Sequence, residues 1–365
     1  MKLRHGKISN LPLLIVTVIT VLFIILEFNS KSRGKTQYFE EKIAASELTL
    51  QSFAAIRNAA NRLNIPIDRI NDPNGTGLIG LQYSPITTER GDLTAKLTST
   101  NPNFAALMIE LLKNSGVKEN DIVAVSFTGS FPALNIAVLS AVQILKLKPV
   151  IITSVGASMW GANYPGLTYL DMEKELYDLG YTNYKSAAAS FGGEDDVGRG
   201  LSPEGREMLE SAITRNNIPR LEIGDVNNVV EKRIAKYEEH GRLKLFINVG
   251  GGFAAIGGVD ARSGYIRPHE IKAGQNLVAY FSHAGVGVIN LNDLNHLVGI
   301  YRLPIAPIPI PLVGDGPVYY EMRYSVAQAI IYLSILIVIL FFVLRFDIDY
   351  YLKRLFKVAN NSAMH

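Results

Sequence analysis

Two long apolar runs stand near the two ends of this sequence, and they constrain its architecture more than any other feature. The runs extend over residues 11–28 and 326–344. Each has the roughly 18 to 20 apolar residues that a helix needs to cross a hydrocarbon layer about 30 Å thick. The sequence therefore predicts two membrane-spanning helices, with a domain of about three hundred residues between them.

The basic residues around the second run predict how the chain is oriented in the membrane. Arg323 stands nearly alone before this run, and the run is followed by Arg345, Lys353, Arg354 and Lys357. Positively charged flanks stay in the cytoplasm, so the C-terminus should be cytoplasmic. The first run is too long for the apolar part of a cleaved signal peptide and is followed by no small-residue cleavage site. We therefore expect a two-pass protein with both termini inside and its main domain on the outer face.

These features divide the chain into seven predicted parts. Apolar residues recur at helical spacing between Phe39 and Leu63, which predicts an amphipathic helix beside the first span. Its apolar stripe packs on the domain or, alternatively, on a partner helix in a membrane complex. In chain order the parts are a basic tail (1–10), a span (11–28), the amphipathic helix (38–64), an α/β domain (65–312), a Pro- and Gly-containing tether (313–325), a span (326–344) and a second cytoplasmic tail (345–365).

Charge and composition exclude several classes of function. Of the formal charge of +3, the first ten residues supply +3, the tail from Arg345 supplies +2 and Glu27 supplies −1, which leaves −1 for the middle of the chain. Nucleic-acid binding needs a clustered basic face, so no nucleic-acid partner is expected. The chain has no cysteine, which excludes disulfides, thiolate metal sites and a cysteine nucleophile.

The middle of the chain alternates apolar runs of strand length with segments of helix length. Strands that alternate with helices of this length form a mainly parallel sheet with helices on both faces. The fold class that we predict is therefore α/β, flanked by an N-terminal and a C-terminal transmembrane helix. The clearest predicted strands are 121–127, 148–155, 243–249 and 276–282, and the clearest helices are 104–116, 133–147 and 202–217.

Nearly every predicted strand ends in small and polar residues. The carboxyl ends of parallel strands meet at one edge of a sheet, where ligands bind in such folds and where glycine lets backbone amides approach an anion. Tight turns also need glycine without any function, and Ser130 could simply cap the following helix. The five loops are 126–132, 154–163, 189–200, 248–258 and 281–287, and the candidate ligand-binding residues in them are Thr128, Ser130, Asn135, Ser154, Asn163, Gly250, Gly251 and Gly252.

Serine and histidine residues in these loops suggest a catalytic alternative. Ser158 lies in GASMWG, which resembles a nucleophile elbow but has Trp160 where that motif needs glycine. A serine nucleophile also needs a base, and His283 is the histidine placed at a predicted strand end. The candidate catalytic residues are therefore Ser130, Ser158 and His283, with Ser126 as a further nucleophile.

The loop GGEDDVGRG is the densest polar cluster in the sequence. Neighbouring carboxylates can raise one pKa for acid–base chemistry or bind Mg²⁺ or Ca²⁺ through oxygen, and an arginine can clamp a substrate carboxylate. An acidic glycine-rich loop can equally be solvated surface. The candidate ligand-binding and metal-binding residues here are Glu194, Asp195 and Asp196, with Arg199 as the anion clamp.

The run GGGFAA over 250–255 formally fits a dinucleotide-binding fingerprint, with Glu270 near the distance of the ribose-binding acid. The residues after it do not have the helical pattern that the fingerprint requires. We therefore expect no dinucleotide cofactor.

Four segments together resemble a known family of bacterial membrane proteins. They are DIVAVSFTGSFPALNIAVL (121–139), PVIITSVGASMWGANYPGLTYLDMEKEL (149–176), SFGGEDDVGRGLSPEG (190–205) and FINVGGGFAAIGG (246–258). In this order they resemble the poly-γ-glutamate system protein family, and the resemblance extends from Asn103 to about Val318. It implies an accessory role in synthesis, export or anchoring of an anionic γ-linked polymer in the bacterial envelope. It supplies no established active site.

Three functions follow for this chain. The first is a non-catalytic accessory that docks to the poly-γ-glutamate synthase and export subunits or holds the anionic polymer, and we favour it. The second is an extracytoplasmic hydrolase or transferase that acts on γ-glutamyl amide bonds through a Ser/His site. The third is a membrane-tethered sensor of a solute or a metal.

Overall fold

The computed structural model of this protein describes residues 3, 10–193, 196–221, 228–257, 262–272, 274–348 and 350. The chain divides into two compact units. The first unit contains residues 1–35 and 320–365, and the second contains residues 36–319. Both candidate membrane spans belong to the first unit, and the predicted α/β domain belongs to the second.

The helices and strands of the described residues have the following bounds. The helices are α1 (Asn10–Asn29), α2 (Phe39–Arg62), α3 (Leu93–Ser99), α4 (Phe104–Asn114), α5 (Pro132–Ile144), α6 (Tyr169–Asp178), α7 (Pro203–Arg215), α8 (Val229–Glu238), α9 (Phe253–Ile256), α10 (Leu277–His283), α11 (Leu294–Tyr301) and α12 (Val326–Arg345). The strands are β1 (Ser32–Lys35), β2 (Ile122–Thr128), β3 (Lys148–Ser154), β4 (Asn163–Tyr164), β5 (Leu167–Thr168), β6 (Ala188–Ser190), β7 (Leu245–Val249), β8 (Gly264–Ile266), β9 (Gly287–Leu291) and β10 (Tyr320–Arg323).

The first unit consists of α1, α12 and a two-stranded sheet. Helices α1 and α12 have the length and apolar composition needed to cross a membrane. The rings of Phe23 and Tyr332 stack between them with centroids 4.8 Å apart. Strands β1 and β10 pair antiparallel, with Ser32 opposite Arg323. The chain segments that leave α1 and enter α12 are therefore hydrogen-bonded to each other.

The second unit is built on a six-stranded sheet with the order β6-β3-β2-β7-β9-β8. The first five strands in this order are parallel, and β8 runs antiparallel to β9. The predicted α/β class with a mainly parallel sheet is thus confirmed. All five parallel strands end at the same edge, which we call the carboxyl edge of the sheet.

Helices pack on both faces of this sheet because successive strand residues point to opposite sides. On one face Ala124 and Phe246 join Tyr237 of α8 and Phe281 of α10 in one apolar cluster. On the other face the ring of Phe127 meets Tyr169 of α6 edge to face, at 5.6 Å. Each fully buried aromatic side chain of this kind stabilises the fold by roughly 1.5–3 kcal/mol.

The segment predicted as a tether at 313–325 is instead partly folded into the second unit. Tyr319 is fully buried; its hydroxyl donates a hydrogen bond to Asn103 Oδ1 and is hydrogen-bonded to the Ser46 hydroxyl, both at 2.7 Å. Asn103 Nδ2 also donates to the carbonyl of Leu312 at 3.2 Å. The predicted Pro- and Gly-containing tether did not include these contacts, because proline and glycine content alone does not reveal that a chain is bound through its side chains.

The stretch 276–282 was predicted to be a strand and forms helix α10. Asn276 caps this helix, since its side chain accepts a hydrogen bond from the backbone N–H of Ala279 at 2.9 Å. An apolar run of seven residues fits either a buried strand or a buried helix, and the cap decides between them here. The strand of this region is β9, which follows α10. The loop 281–287 therefore lies at the amino edge of the sheet and not at the carboxyl edge.

Candidate functional site

Polar side chains replace apolar ones where the parallel strands approach the carboxyl edge. Alternation along each strand places these polar residues on the face that holds Ala124 and Phe246. The register aligns them across the strands, so that they form two polar rows. Ser190, Ser154 and Thr128 are aligned in the outer row, and Ser126, Asn248 and Asn290 are aligned in the inner row.

A cavity of about 660 Å³ opens over part of these two rows, and the row residues in its wall are Ser126, Thr128, Ser154 and Asn248. We call it the rim cavity. Its volume lies within the range of pockets that bind small ligands. Glycine-rich turns after β6 and β7 form part of its wall and expose backbone rather than bulky side chains. Its wall includes Thr128, Ser130, Ser154, Asn248, Gly251 and Gly252.

Arg233 enters the wall of the rim cavity from helix α8 and is 1% exposed. Its Nε donates to Asp196 Oδ2 at 2.8 Å, and its Nη2 donates to Ser154 Oγ and Ser190 Oγ at 2.8 and 2.7 Å. Both serine hydroxyls in turn donate to Asp196 Oδ1. This network leaves the buried pair without net charge and fixes the loop after β6 over the sheet, while Arg233 Nη1 has no hydrogen-bond partner among the described residues.

Lys96 of helix α3 lies behind the wall at Ser130. Its Nζ is 2.7 Å from Ser158 Oγ, donates to the carbonyl of Ser130, and lies 3.9 Å from the ring centroid of Phe131. Burial lowers the pKa of Lys96 to about 7, and the charges of Glu89 and Asp92 only partly oppose this. Near neutral pH this amine therefore exchanges its proton readily.

Glu89 supplies a carboxyl group to the wall of the rim cavity. Partial burial raises its pKa, and the charge of Lys96 acts in the opposite direction. The segment that contains Glu89 runs alongside the loop after β3. The backbone N–H of Met159 in that loop donates to the carbonyl of Glu89 at 3.0 Å. The cavity is thus bounded by a chain segment that precedes the sheet in the sequence.

The structure brings six of the twelve predicted ligand-binding residues to the rim cavity. Thr128, Ser130 and Ser154 line the rim cavity, as do Gly251, Gly252 and Asp196. Gly250 makes the turn before them, with a φ of 81° that favours glycine. Ser130 does not cap α5, whose N-cap is Phe131. Its Oγ instead accepts a hydrogen bond from the backbone N–H of Ser158 at 3.0 Å, so the two predicted serines are neighbours.

Two of the predicted ligand-binding residues have structural contacts instead. Asn135 is fully buried and donates to the carbonyl of Thr128 at 2.8 Å, which fixes the turn into α5. Asn163 is also fully buried, and it binds the backbone N–H and carbonyl of Leu81, each at 2.8 Å, and Thr87 Oγ1 at 2.9 Å. Their amide groups hold loops in position, so ligand binding is not the role that these contacts indicate.

His283 is separated from the two serines by the length of the sheet. It is the last residue of α10, it precedes β9 and its side chain is exposed, so it lies at the amino edge. The prediction of a Ser/His pair with His283 as base is therefore wrong in this structure. The cause is the misassigned strand, which had placed this histidine at a carboxyl end.

The acidic loop is described only in part. Asp196 lines the rim cavity, where its carboxylate accepts hydrogen bonds from Arg233 and from two serine hydroxyls, and Arg199 is exposed. Glu194 and Asp195 lie outside the described residues. Within the residues that are described, no three His, Asp or Glu side chains come together in a group that could hold a metal ion.

Three residues of the site were not found from the sequence. Lys96 and Glu89 lie in a polar stretch without a readable periodic pattern, so no sequence signal indicated them. Arg233 did have a signal, since Val229, Arg233 and Tyr237 are spaced by four residues. That spacing puts all three on one face of α8, and the face is apolar at its other two positions.

Comparison with known proteins finds no match among family models, curated proteins or solved structures.

Proposed function

We propose that this protein is a membrane-anchored component of a bacterial poly-γ-glutamate synthesis or export system, and that its second unit holds the γ-glutamyl chain or its precursor in the rim cavity. The observation that carries this proposal is the composition of the cavity wall. Each of the four segments that resemble the poly-γ-glutamate system proteins contributes to that wall, through Ser130, Gly156, Asp196 and Asn248. The resemblance and the cavity therefore involve the same parts of the chain.

The chemistry of the wall suits such a polymer. A γ-glutamyl chain presents one carboxylate and one amide per repeat, and both need hydrogen-bond partners. The polar rows supply hydroxyl and amide groups, and the glycine turns supply accessible backbone N–H groups. The charge of Arg233 is already matched by Asp196. Mostly neutral donors bind a carboxylate less strongly than unpaired cations do, which suits a chain that must be released.

The two apolar helices support the location that we propose. We place α1 and α12 across the bacterial cytoplasmic membrane, with both termini in the cytoplasm, because the basic residues follow α12. The second unit then acts on the outer face, where an exported polymer emerges. Its partners in this proposal are the synthase and export subunits.

A binding experiment with a blocked cavity tests the proposal. Gly252 lines the rim cavity, and a Cβ added there meets open space. Gly252→Leu should therefore fill part of the cavity without straining the backbone. Gly299, in α11, also has open space around an added Cβ and is absent from the cavity wall, so Gly299→Leu is the matched control.

The full chain in lipid nanodiscs should bind γ-linked glutamate oligomers in isothermal titration calorimetry. We expect Gly252→Leu to weaken this binding at least tenfold, as about 1.4 kcal/mol of lost contacts would do, and Gly299→Leu to preserve it. An α-linked oligomer of equal length should bind more weakly. Absence of binding by the wild-type protein, or equal loss in both variants, would contradict the proposal.

A further inference from the structure

Two serine hydroxyls and one amine meet at the junction of three chain segments beside the rim cavity. Ser130 follows β2, Ser158 follows β3, and Lys96 is in α3. Lys96 Nζ lies 2.7 Å from Ser158 Oγ, which is within the range for a nucleophile and its base. The carbonyl of Ser130 and the ring of Phe131 hold the amine in this position.

Lys96 is 2% exposed, and it forms no ion pair with any residue that the structure describes. Its three polar or ring contacts are a carbonyl, a hydroxyl and an aromatic face. A purely structural lysine is usually paired with a carboxylate when it is buried, as Lys42 is with Glu110 at 2.7 Å. A buried amine without such a partner is held in its neutral, proton-accepting form more easily.

We propose that Ser158 and Lys96 form a nucleophile–base pair for acyl transfer beside the rim cavity. Neutral Lys96 Nζ takes the proton of Ser158 Oγ while Oγ forms a bond to the carbonyl carbon of an amide. The C–N bond then breaks, and the leaving amine takes the proton from Nζ. Water next attacks the serine ester, giving one proton to Nζ; the C–Oγ bond breaks and Oγ regains that proton. The products are a carboxylic acid and an amine.

The substrate class is an amide or ester carbonyl. The assignment of a γ-glutamyl amide as the substrate rests on the proposed function. The chemistry of the Ser158–Lys96 pair does not depend on that function. Ser130 positions the nucleophile, because its Oγ accepts the backbone N–H of Ser158 while its side chain faces the cavity.

The segment 87–91 lies against the residues on either side of Ser158, which is 4% exposed. Thr88 N donates to the carbonyl of Ala157 and Met159 N donates to the carbonyl of Glu89, both at 3.0 Å, so this segment is bonded to the residues on either side of Ser158. Thr88 and Glu89 themselves line the rim cavity. This segment therefore joins the cavity wall to the residues that flank Ser158.

Covalent labelling of the full chain with an alkyl fluorophosphonate tests the pair. The probe should phosphonylate Ser158, as located by peptide mass spectrometry, with loss of fluoride. The labelling rate should rise with pH around a midpoint near neutrality, because only the neutral amine accepts the proton. Ser158→Ala should abolish the label, and Ser211→Ala, at an exposed position of α7, should leave it unchanged.

Lys96→Met should slow labelling at least a hundredfold, and Lys96→Arg should do so while keeping a positive charge. Fluorescence of Trp160, the one tryptophan of the chain, reports whether each variant is folded. The pH profile of the wild-type protein serves as a test that needs no variant. Absence of label on Ser158 at pH 8, or an unchanged rate in folded Lys96→Met protein, would overturn the proposal. The probe contains no glutamate, so these outcomes are independent of binding to γ-glutamyl oligomers.

Discussion

Burial of the Lys96 amine should make the stability of this protein depend on pH above neutrality. Burial lowers the pKa of Lys96 to about 7 in the folded protein, against an ordinary value of 10.5. Between these two values the unfolded chain holds a proton on this amine that the folded protein has lost. Unfolding therefore takes up a proton, and the free energy of unfolding rises with pH across this interval.

The size of the effect follows from the two pKa values. Once the folded amine is neutral, each pH unit adds about 1.4 kcal/mol to the free energy of unfolding. Integration from pH 7 to pH 9 gives about 2 kcal/mol, since the folded amine is still half protonated at the start. Other groups titrate in the same range, so the quantity to compare is the difference between the wild-type protein and Lys96→Met, which keeps the chain length and removes the amine.

Urea unfolding followed by Trp160 fluorescence, with the full chain in detergent at pH 7, 8 and 9, measures this difference. Over this pH range, we expect the free energy of unfolding to rise by about 2 kcal/mol more in the wild-type protein than in Lys96→Met. Lys148→Met is the control, because Lys148 is exposed, and its curve should run parallel to the wild-type curve. A difference that stays constant or shrinks as pH rises would refute the reasoning about Lys96.

Three further expectations use the same unfolding assay. Burial raises the pKa of Glu173 to about 7 from 4.5, so between these values the folded protein holds a proton that the unfolded chain has lost. The free energy of unfolding therefore falls as pH rises, and Glu173→Gln should remove a fall of about 2 kcal/mol between pH 5 and pH 7.5. Arg233→Met should lower the free energy of unfolding by about 3–5 kcal/mol, because it leaves the Asp196 carboxylate buried without its partner. Adding Asp196→Asn to this variant should recover part of the lost stability. Asn163→Ala should lower the free energy of unfolding by about 2–3 kcal/mol through its lost hydrogen bonds. Because the Asn163 side chain holds a loop, the affinity for γ-glutamyl oligomers in titration calorimetry should stay unchanged.

The fold class was predictable because its signals are local. Buried parallel strands are continuous apolar runs, as in β2 and β3, and the helices after them have clear starts such as Pro132 in α5. The region from Asn276 to Leu291 was not predictable in the same way. Its apolar run suits a helix or a strand equally, and only the cap formed by Asn276 in three dimensions makes it α10.

The site was predictable only where it is built from strand ends. Thr128, Ser130, Ser154 and the glycines after β7 follow from the rule that parallel strands end together. Lys96 could not be found, because its role depends on a contact with Ser158, which lies 62 positions further along the chain. A sequence does not show which distant loop a side chain will reach when neither residue lies in a readable periodic pattern.

Hydrogen–deuterium exchange of the nanodisc-embedded protein, with and without a γ-linked glutamate oligomer, tests the central claim most directly. If the rim cavity holds the chain, the oligomer should slow exchange in the loops at 128–131, 154–161 and 248–257. Exchange at 282–287, on the amino edge of the sheet, should remain unchanged. Protection confined to that amino edge, or no protection with saturating oligomer, would contradict the assignment of the rim cavity as the binding site.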